Sequence, residues 1–362
     1  MMKILHVIDS LAVGGAEKLV LDTLPLYNSV DGVTADVALL DASESIFLKK
    51  LKTQNCCRIY ELSSGNLYNP MLIFKLVPII RKYDIIHVHL FPAQYFAVIA
   101  NLFSWKKIIF TEHNSFNRRM DNPFFKLLEK MIYKLYNKII CISPEVKEVM
   151  KNGLKINENK LITIENGINI NDVKNAGVSF RKEFGYTEED VIIIMVAKFR
   201  QQKDHETLVK SIAQLPDKYK LLLVGDGKKE RYDEIINLVE KLKIKDRTIF
   251  TGERGDVFSL YKMANIAVLS SNWEGFGLVA AEAMASGTPL IASNVPGLSE
   301  VVSGGGILFE KGNVDDLTQK ISELTDDNVL YNETSRKGQK KAQKYDISRL
   351  VEQTLLLYRS LK

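Results

Sequence analysis

Cysteine is scarce in this chain: Cys56, Cys57 and Cys141 are the only three among 362 residues. An odd number without metal-ligand or redox spacing argues against both a disulfide framework and a cysteine-built metal centre. Reduced thiols point to a cytoplasmic protein. Long apolar runs are missing too. No stretch approaches the ~20 consecutive apolar residues that cross a bilayer. The opening Met1–Asp9 turns polar too soon for a secretory leader and reads as a first strand. No two aspartates stand two apart, so a D-x-D route to a metal-held diphosphate is not evident. G-x-G-x-x-G is absent, and with it support for a dinucleotide fingerprint. There is no repeat of roughly 20–50 residues and no low-complexity tract. Strong charge is lacking as well: the net charge is +5. Residues 1–175 hold 22 Lys+Arg against 17 Asp+Glu, and the remainder holds 27 of each. That excess is too small for a nucleic-acid binder but fits a modest basic patch facing an anionic surface.

What is present is an alternation of short apolar strands with helical patterns, in two successive series. The first runs from Lys3–Ile8 to Leu161–Glu165, and the second opens at Val191–Ala197 (VIIIMVA), a continuous apolar run as in a buried parallel sheet. Helix starts are expected at Ala16, Ser43, Leu72, Ala93, Phe124, Pro144, Asp204 and Asn313, with a kink at Pro78. Residues 171–179 read as a linker, and 295–300 with 303–306 as glycine-rich turns. Two βα series of this size predict an α/β chain of two doubly wound domains with a cleft between them.

The most informative stretch is Ser270–Pro289. A buried strand, Ile266–Leu269, leads into a loop and then a helix expected from about Phe276 to Gly287. Gly275, Phe276, Gly277 and Leu278 supply amides at the helix start, where an anion is favoured. Glu274 lies before the helix and Glu282 inside it. Small residues around Glu282 (Ala280, Ala281, Ala283, Ala285) suggest close packing rather than a solvated face. One segment thus offers a phosphate seat between two carboxylates, which suits sugar hydroxyls, a diphosphate and ribose hydroxyls.

Glu274 and Glu282, set in WEGFGLVAAEAMASGTPLIAS, resemble the E-x7-E signature of the retaining glycosyltransferases of family 4. The resemblance extends over almost the whole chain and is densest from Val191 to Val302. It implies the GT-B fold, two Rossmann-like domains facing each other across a cleft. The boundaries implied are 1–170 for an acceptor-side domain, onto which a C-terminal helix at about 346–362 packs back, and 171–345 for a nucleotide-sugar domain. By the same resemblance Lys198 and Lys203 stand where an Arg and a Lys hold the donor diphosphate. Arg200 lies close enough to share that role, since lysine lacks the bidentate fork of arginine. The loop Gly252–Asp256, with Glu253 and Arg254, is implied to contact the nucleotide base. Gly225 opens a second glycine turn where backbone can approach ligand.

In the first series, Gly14 and Gly15 follow a strand and precede a helix. A tight turn and an anion site fit them equally well, and the resemblance places such a loop near the diphosphate. His113 leaves the end of a strand, Lys107–Thr111, where open α/β sheets bind ligands, and by resemblance sits beside the donor sugar. His87 and His89 share one face of the strand DIIHVHL. A paired metal site there has no visible third ligand. Along Phe124–Asn137, Phe125, Leu128, Ile132 and Leu135 form an apolar stripe expected to pack on the core. Lys126, Lys130 and Lys134, preceded by Arg118 and Arg119, form a basic face. It is either merely solvated or laid against anionic lipid or a lipid diphosphate acceptor.

The expected function is metal-independent, retaining transfer of a sugar from a UDP- or GDP-type donor to a saccharide or lipid-linked acceptor in cell-surface polysaccharide or glycolipid synthesis. No metal or other cofactor is expected. Glu274, Lys198, Lys203 and His113 are the expected catalytic set. The expected location is cytoplasmic, with peripheral contact at the inner membrane face as the corollary of the basic helix. A nucleotide-sugar epimerase on a similar fold and a non-catalytic nucleotide-sugar binder are the alternatives.

Overall fold

The structure, a computed structural model, describes residues 1–114 and 122–362. It divides into two units, residues 1–167 with 347–362, and residues 168–346.

In the first unit the order is β1 (Met2–Ile8), α1 (Gly15–Asn28), β2 (Val33–Leu39), α2 (Ile46–Gln54), β3 (Ile59–Glu61), α3 (Met71–Ile80), β4 (Ile85–His89), α4 (Ala93–Asn101), β5 (Lys107–Glu112), α5 (Pro123–Leu135), β6 (Lys138–Cys141), α6 (Pro144–Glu148) and β7 (Leu161–Thr163). All strands pair in parallel, in the order β3-β2-β1-β4-β5-β6-β7. The second unit holds α7 (Ile170–Asn175), β8 (Val191–Val196), α8 (His205–Gln214), β9 (Tyr219–Val224), α9 (Lys229–Lys241), β10 (Thr248–Phe250), α10 (Val257–Met263), β11 (Ile266–Leu269), α11 (Leu278–Ala285), β12 (Leu290–Ser293), α12 (Leu298–Val302), β13 (Ile307–Phe309), α13 (Val314–Asp326) and α14 (Asn328–Ala342). Its six strands are parallel in the order β10-β9-β8-β11-β12-β13. The last helix, α15 (Ile347–Leu361), belongs to the first unit.

Each sheet is thus wound outward in both directions from a central pair, β1/β4 in one and β8/β11 in the other. This is the doubly wound arrangement, with a switch point at the carboxyl ends of that pair. The strands are apolar on both faces because helices cover both. Every residue of β4 and of β11 is buried. In the first unit α15 supplies part of the core itself: Leu350, Val351, Leu355 and Tyr358 join Ile4, Leu21, Leu24 and Tyr27 in one cluster.

Local chemistry fixes the helix ends. Ser45, Asn122, Ser143, Asp204, Asn313 and Asp327 each accept a first-turn backbone N–H with the side chain, satisfying donors that lack helical partners. Three expectations are corrected. Residues 171–179 are not a bare linker: Asn169 caps α7 through Asn171 and Asp172. The turn at 295–300 contains the start of α12, entered through Gly297 at φ +79°. Pro78 stands in the last turn of α3, two residues before its end, so it closes the helix rather than dividing it.

Candidate functional site

At the second unit's switch point, two loops leave adjacent strands, Ala197–Asp204 after β8 and Ser270–Gly277 after β11. They are laced together through backbone. The Asn272 amide donates to the Gln202 carbonyl (2.7 Å), and its side-chain nitrogen to the Gln201 carbonyl (3.0 Å). The Gln202 side chain donates to the Trp273 carbonyl (2.9 Å), and Ser270 Oγ to the Asp204 carbonyl (2.7 Å). Inside this lacing Lys203 Nζ forms an ion pair with Glu274 Oε1. Ser271 Oγ donates to the same oxygen at 2.8 Å. Glu274 is 6% exposed, so its charge has little water around it and relies on the ammonium. Lys198 is half-buried and Arg200 exposed. Among the described residues neither has an ion-pair partner, so both keep their positive charge available.

Helix α11 begins at Leu278, later than the sequence pattern suggested. Gly277 is its N-cap at φ +82°, a left-handed conformation that favours glycine. The chain therefore turns sharply before the helix, and the first-turn donors shift. Leu278 and Val279 present amides without intrahelical acceptors, whereas the Ala280 amide bonds the Gly277 carbonyl (2.9 Å). Phe276 is not a ligand-facing ring: it is buried, edge-on to Tyr345 at 5.2 Å. Gly275 is half-buried. The loop is supported from below by Gly297, where a Cβ would strike the Glu274 carbonyl oxygen. Glu282 is buried one turn into α11. The neighbouring Tyr261 phenol is pushed far above its ordinary pKa, by burial first and by the Glu282 charge second.

Gly225 has a packing role. At φ +138° a Cβ there would run into the Ala197 carbonyl, and one at Gly227 would meet Phe199. The glycines let the loop after β9 dock on the loop after β8, a contact sealed by the bridge Phe199–Gly227, while the bridge Gly225–Gly252 ties the same loop to the one after β10. They brace the loop that carries Lys198 and Lys203. Arg254 is also committed internally: its guanidinium grips both Asp256 oxygens (2.8 and 2.7 Å) and Glu183 (3.1 Å). Glu253 beside it is exposed.

In the first unit, Gly14 is the N-cap of α1 and Gly15 its first residue. The Glu17 carboxylate is folded over Gly14, close enough to collide with a Cβ there. His113 is half-buried at the end of β5. Its Nε2 lies 3.2 Å from His89 Nδ1, and His89 Nε2 lies 3.1 Å from His6 Nδ1. His87 sits between hydroxyls, with Tyr358 at 2.5 Å and Thr111 at 2.6 Å. The parallel register explains the gathering. His6 pairs with His87 and His89 with Thr111, so these residues and His113 all fall on one face of the sheet. His6 supplies the third histidine that the sequence did not reveal beside His87 and His89. Desolvation pulls all four imidazoles well below their ordinary pKa.

Helix α5 also departs from expectation. Its buried residues are Glu129, Ile132 and Tyr133. Glu129 is drawn inward by Gln94 (3.2 Å) and Tyr95 (3.0 Å) of α4. Phe125 and Leu135, expected in the core, are exposed. They join Phe124, Leu127 and Met131 in an uncovered apolar strip, with Phe124 70% and Met131 58% exposed. Lys126 and Lys134 are exposed alongside it and Lys130 is half-buried. Arg118 and Arg119 lie outside the described residues.

Two family models match the chain, "Glycosyltransferase Family 4" over residues 13–172 and "Glycosyl transferases group 1" over residues 179–344. The chain is 37% identical over 155 residues to an N-acetyl-alpha-D-glucosaminyl L-malate synthase of Bacillus anthracis, covering 42% of this chain and 40% of that protein. It is 28% identical over 266 residues to a UDP-Gal:alpha-D-GlcNAc-diphosphoundecaprenol alpha-1,3-galactosyltransferase of Escherichia coli, covering 69% of this chain and 68% of that one. The matches span 40 to 60% of the length of three of the curated relatives. The fold is shared with the crystal structure of Anabaena HepE in complex with UDP and glucose, with TM-score 0.88, 22% identity and 100% of both chains covered.

Proposed function

The chain belongs to the family 4 glycosyltransferases, and from that premise we propose that it moves a sugar, with retention and without a metal, from a UDP- or GDP-type donor to a saccharide or lipid-linked acceptor. The observation that carries this reading is the buried Lys203–Glu274 pair, held at a switch point immediately before a helix start. The diphosphate seats on the Leu278 and Val279 amides, where the helix dipole favours an anion. Lys198 and Lys203 face the charge that grows on the leaving phosphate, with Arg200 as a further cation. Such preorganised donors act where charge develops. Two lysines and a helix start do this work with no call on a metal, which fits a sequence without D-x-D. Glu274, fixed by Lys203 and Ser271, accepts from sugar hydroxyls. Glu282 accepts from the ribose.

In the reaction, the bond between the sugar C1 and the phosphate oxygen breaks as the acceptor hydroxyl attacks C1 from the same face. The hydroxyl proton passes to the departing phosphate oxygen. The nucleoside diphosphate leaves, and the anomeric configuration is kept. His113 contacts the donor sugar. A double displacement would require a second carboxylate beside C1, and none has been assigned. Family membership favours transfer over epimerisation, and the intact Lys203–Glu274 pair favours turnover over mere binding.

The Escherichia coli relative named for a diphosphoundecaprenol-linked substrate and the exposed apolar strip of α5 support a membrane-facing acceptor side. Phe124, Leu127 and Met131 enter the interface while Lys126, Lys130 and Lys134 meet anionic headgroups. No helix among the described residues is long and apolar enough to span a membrane, so contact of this kind is peripheral.

The deciding experiment is a thermal-shift panel of UDP- and GDP-sugars with and without EDTA, followed by transfer to an undecaprenyl-diphosphate-linked sugar and NMR of the product anomer. Stabilisation by one nucleotide class that EDTA leaves unchanged, with the donor's anomeric configuration in the product, is expected. Loss of the shift in EDTA would overturn metal independence, and inversion would overturn the same-face path.

A further inference from the structure

Four of the five histidines of this chain gather at the carboxyl end of the first sheet. Three are linked end to end in one sense: His6 Nδ1 to His89 Nε2, then His89 Nδ1 to His113 Nε2. Each ring turns Nδ1 to the Nε2 of the next. A neutral imidazole carries one N–H and one bare nitrogen. A hydrogen bond between two rings needs one of each. With this polarity, the chain closes only if all three protons sit on Nδ1 or all three on Nε2. Any mixed set places two N–H groups, or two lone pairs, face to face.

The surroundings keep the rings neutral. His6 is 1% and His89 3% exposed, and burial holds His6 and His113 near pKa 3. The inner end of the chain opens on a cavity of ≈ 20 Å³ lined by His6, Thr23, Tyr27, His87, Asn166 and Thr354, among others. Two buried polar atoms on it have no hydrogen-bond partner among the described residues, His6 Nε2 and Asn166 Oδ1. The space is large enough for about one water, which can donate to Asn166 and either donate to or accept from His6. A divalent cation fits less well. No carboxylate lines the cavity, so its charge would be unbalanced in a dry site. His87, already engaged at both nitrogens, would also have to give up a hydroxyl.

We propose that His6 and His89 are positioning residues that lock His113 into a single tautomer, and so decide whether its remaining nitrogen, Nδ1, is a donor or an acceptor toward the bound ligand. This rests on the proposed reading of His113 as the residue that meets the donor sugar. The coupling is all-or-none: a change of tautomer at His113 requires the same change at His89 and at His6, because each ring–ring contact needs one N–H and one bare nitrogen.

Side-chain 15N NMR of the histidine-labelled full-length protein at pH 7 tests this, with single substitutions assigning the five rings and His205 as internal reference. His6, His89 and His113 are expected to be neutral and to share one tautomer. A mixed set, or an imidazolium among them, overturns the proposal in the wild-type spectrum alone, whatever the variants do. In His6→Phe the His113 signals are expected to move toward a tautomer average, and kcat to fall roughly 10- to 100-fold with KM for the donor little changed. An unaltered His113 spectrum in His6→Phe, or in His89→Phe should the first variant not fold, overturns it as well. Shared tautomers together with a wild-type transfer rate in His113→Ala would leave the chain standing and overturn the site reading beneath it.

Discussion

Removing the Lys203 ammonium takes the ion-pair partner from the Glu274 carboxylate in a nearly dry loop. Lys203→Ala is therefore expected to destabilise the protein by about 3 kcal/mol, read as a shift in the denaturant midpoint. Glu274→Gln keeps an acceptor for Ser271 Oγ and leaves a lysine with some access to water, so its cost should stay below about 1.5 kcal/mol. Both variants should lose transfer by roughly 100-fold or more. Equal stability losses in the two would show that the pair is not a buried charge with its counterion. Lys203 was legible in the sequence through its match to the family's cation positions, and Glu274 through the E-x7-E pattern together with its place before a helix start. The partners that fix them were not. Ser271 looks like any loop serine, and Gly297 touches the Glu274 carbonyl from another turn. His6 was hidden for the same reason: which β1 residue faces His87 depends on register, and no single strand encodes its neighbour's offset.

Helices show the same division. Period and composition marked α5 as amphipathic, but the choice of buried side was made by α4, whose Gln94 and Tyr95 pull Glu129 inward and turn Phe125 and Leu135 out. The apolar strip that results should bind membranes. Phe124→Glu with Met131→Glu is expected to abolish co-sedimentation with phosphatidylglycerol vesicles while leaving the melting temperature unchanged. Equal binding of wild type and double variant would remove α5 from the contact. Loop glycines make a second prediction at this scale. Gly225→Ala meets both a positive φ and the Ala197 carbonyl, at a cost of about 1–3 kcal/mol, and should loosen the Lys198–Lys203 loop. Weaker donor binding by calorimetry is the expected sign. Gly252→Ala, where a Cβ meets nothing within 4 Å, isolates the effect of backbone strain. The late start of α11 was invisible in the sequence because Gly277 can either open a helix or turn left-handed before one.

Across the whole molecule, all five histidines are held neutral below their ordinary pKa, four in the first unit and one in the second. Unfolding exposes these rings at pKa ~6.5, so between that value and about 3 the unfolded chain binds more protons than the folded one. Stability contributed by these groups is present above pH ~6.5 and is lost as pH falls toward 3, by up to ~1.4 kcal/mol per pH unit for each ring. Acid should therefore melt the first unit before the second. Tryptophan offers a ready probe, since Trp105 lies in the first unit and Trp273 in the second, and coincident acid transitions for the two would contradict this.

The second unit enters and leaves through neighbouring points, where the Ile168 amide bonds the Tyr345 carbonyl at 2.8 Å, while α15 returns to complete the first unit's core. During synthesis, then, the segment made first is finished last. The opening strands must wait, without Leu350, Leu355 and Tyr358, until the whole inserted unit has emerged from the ribosome. The second unit can reach its native state while the first is still short of its closing helix. For this chain the usual N-to-C order of domain maturation is reversed, and the half that emerges first is the one that depends longest on protection from aggregation.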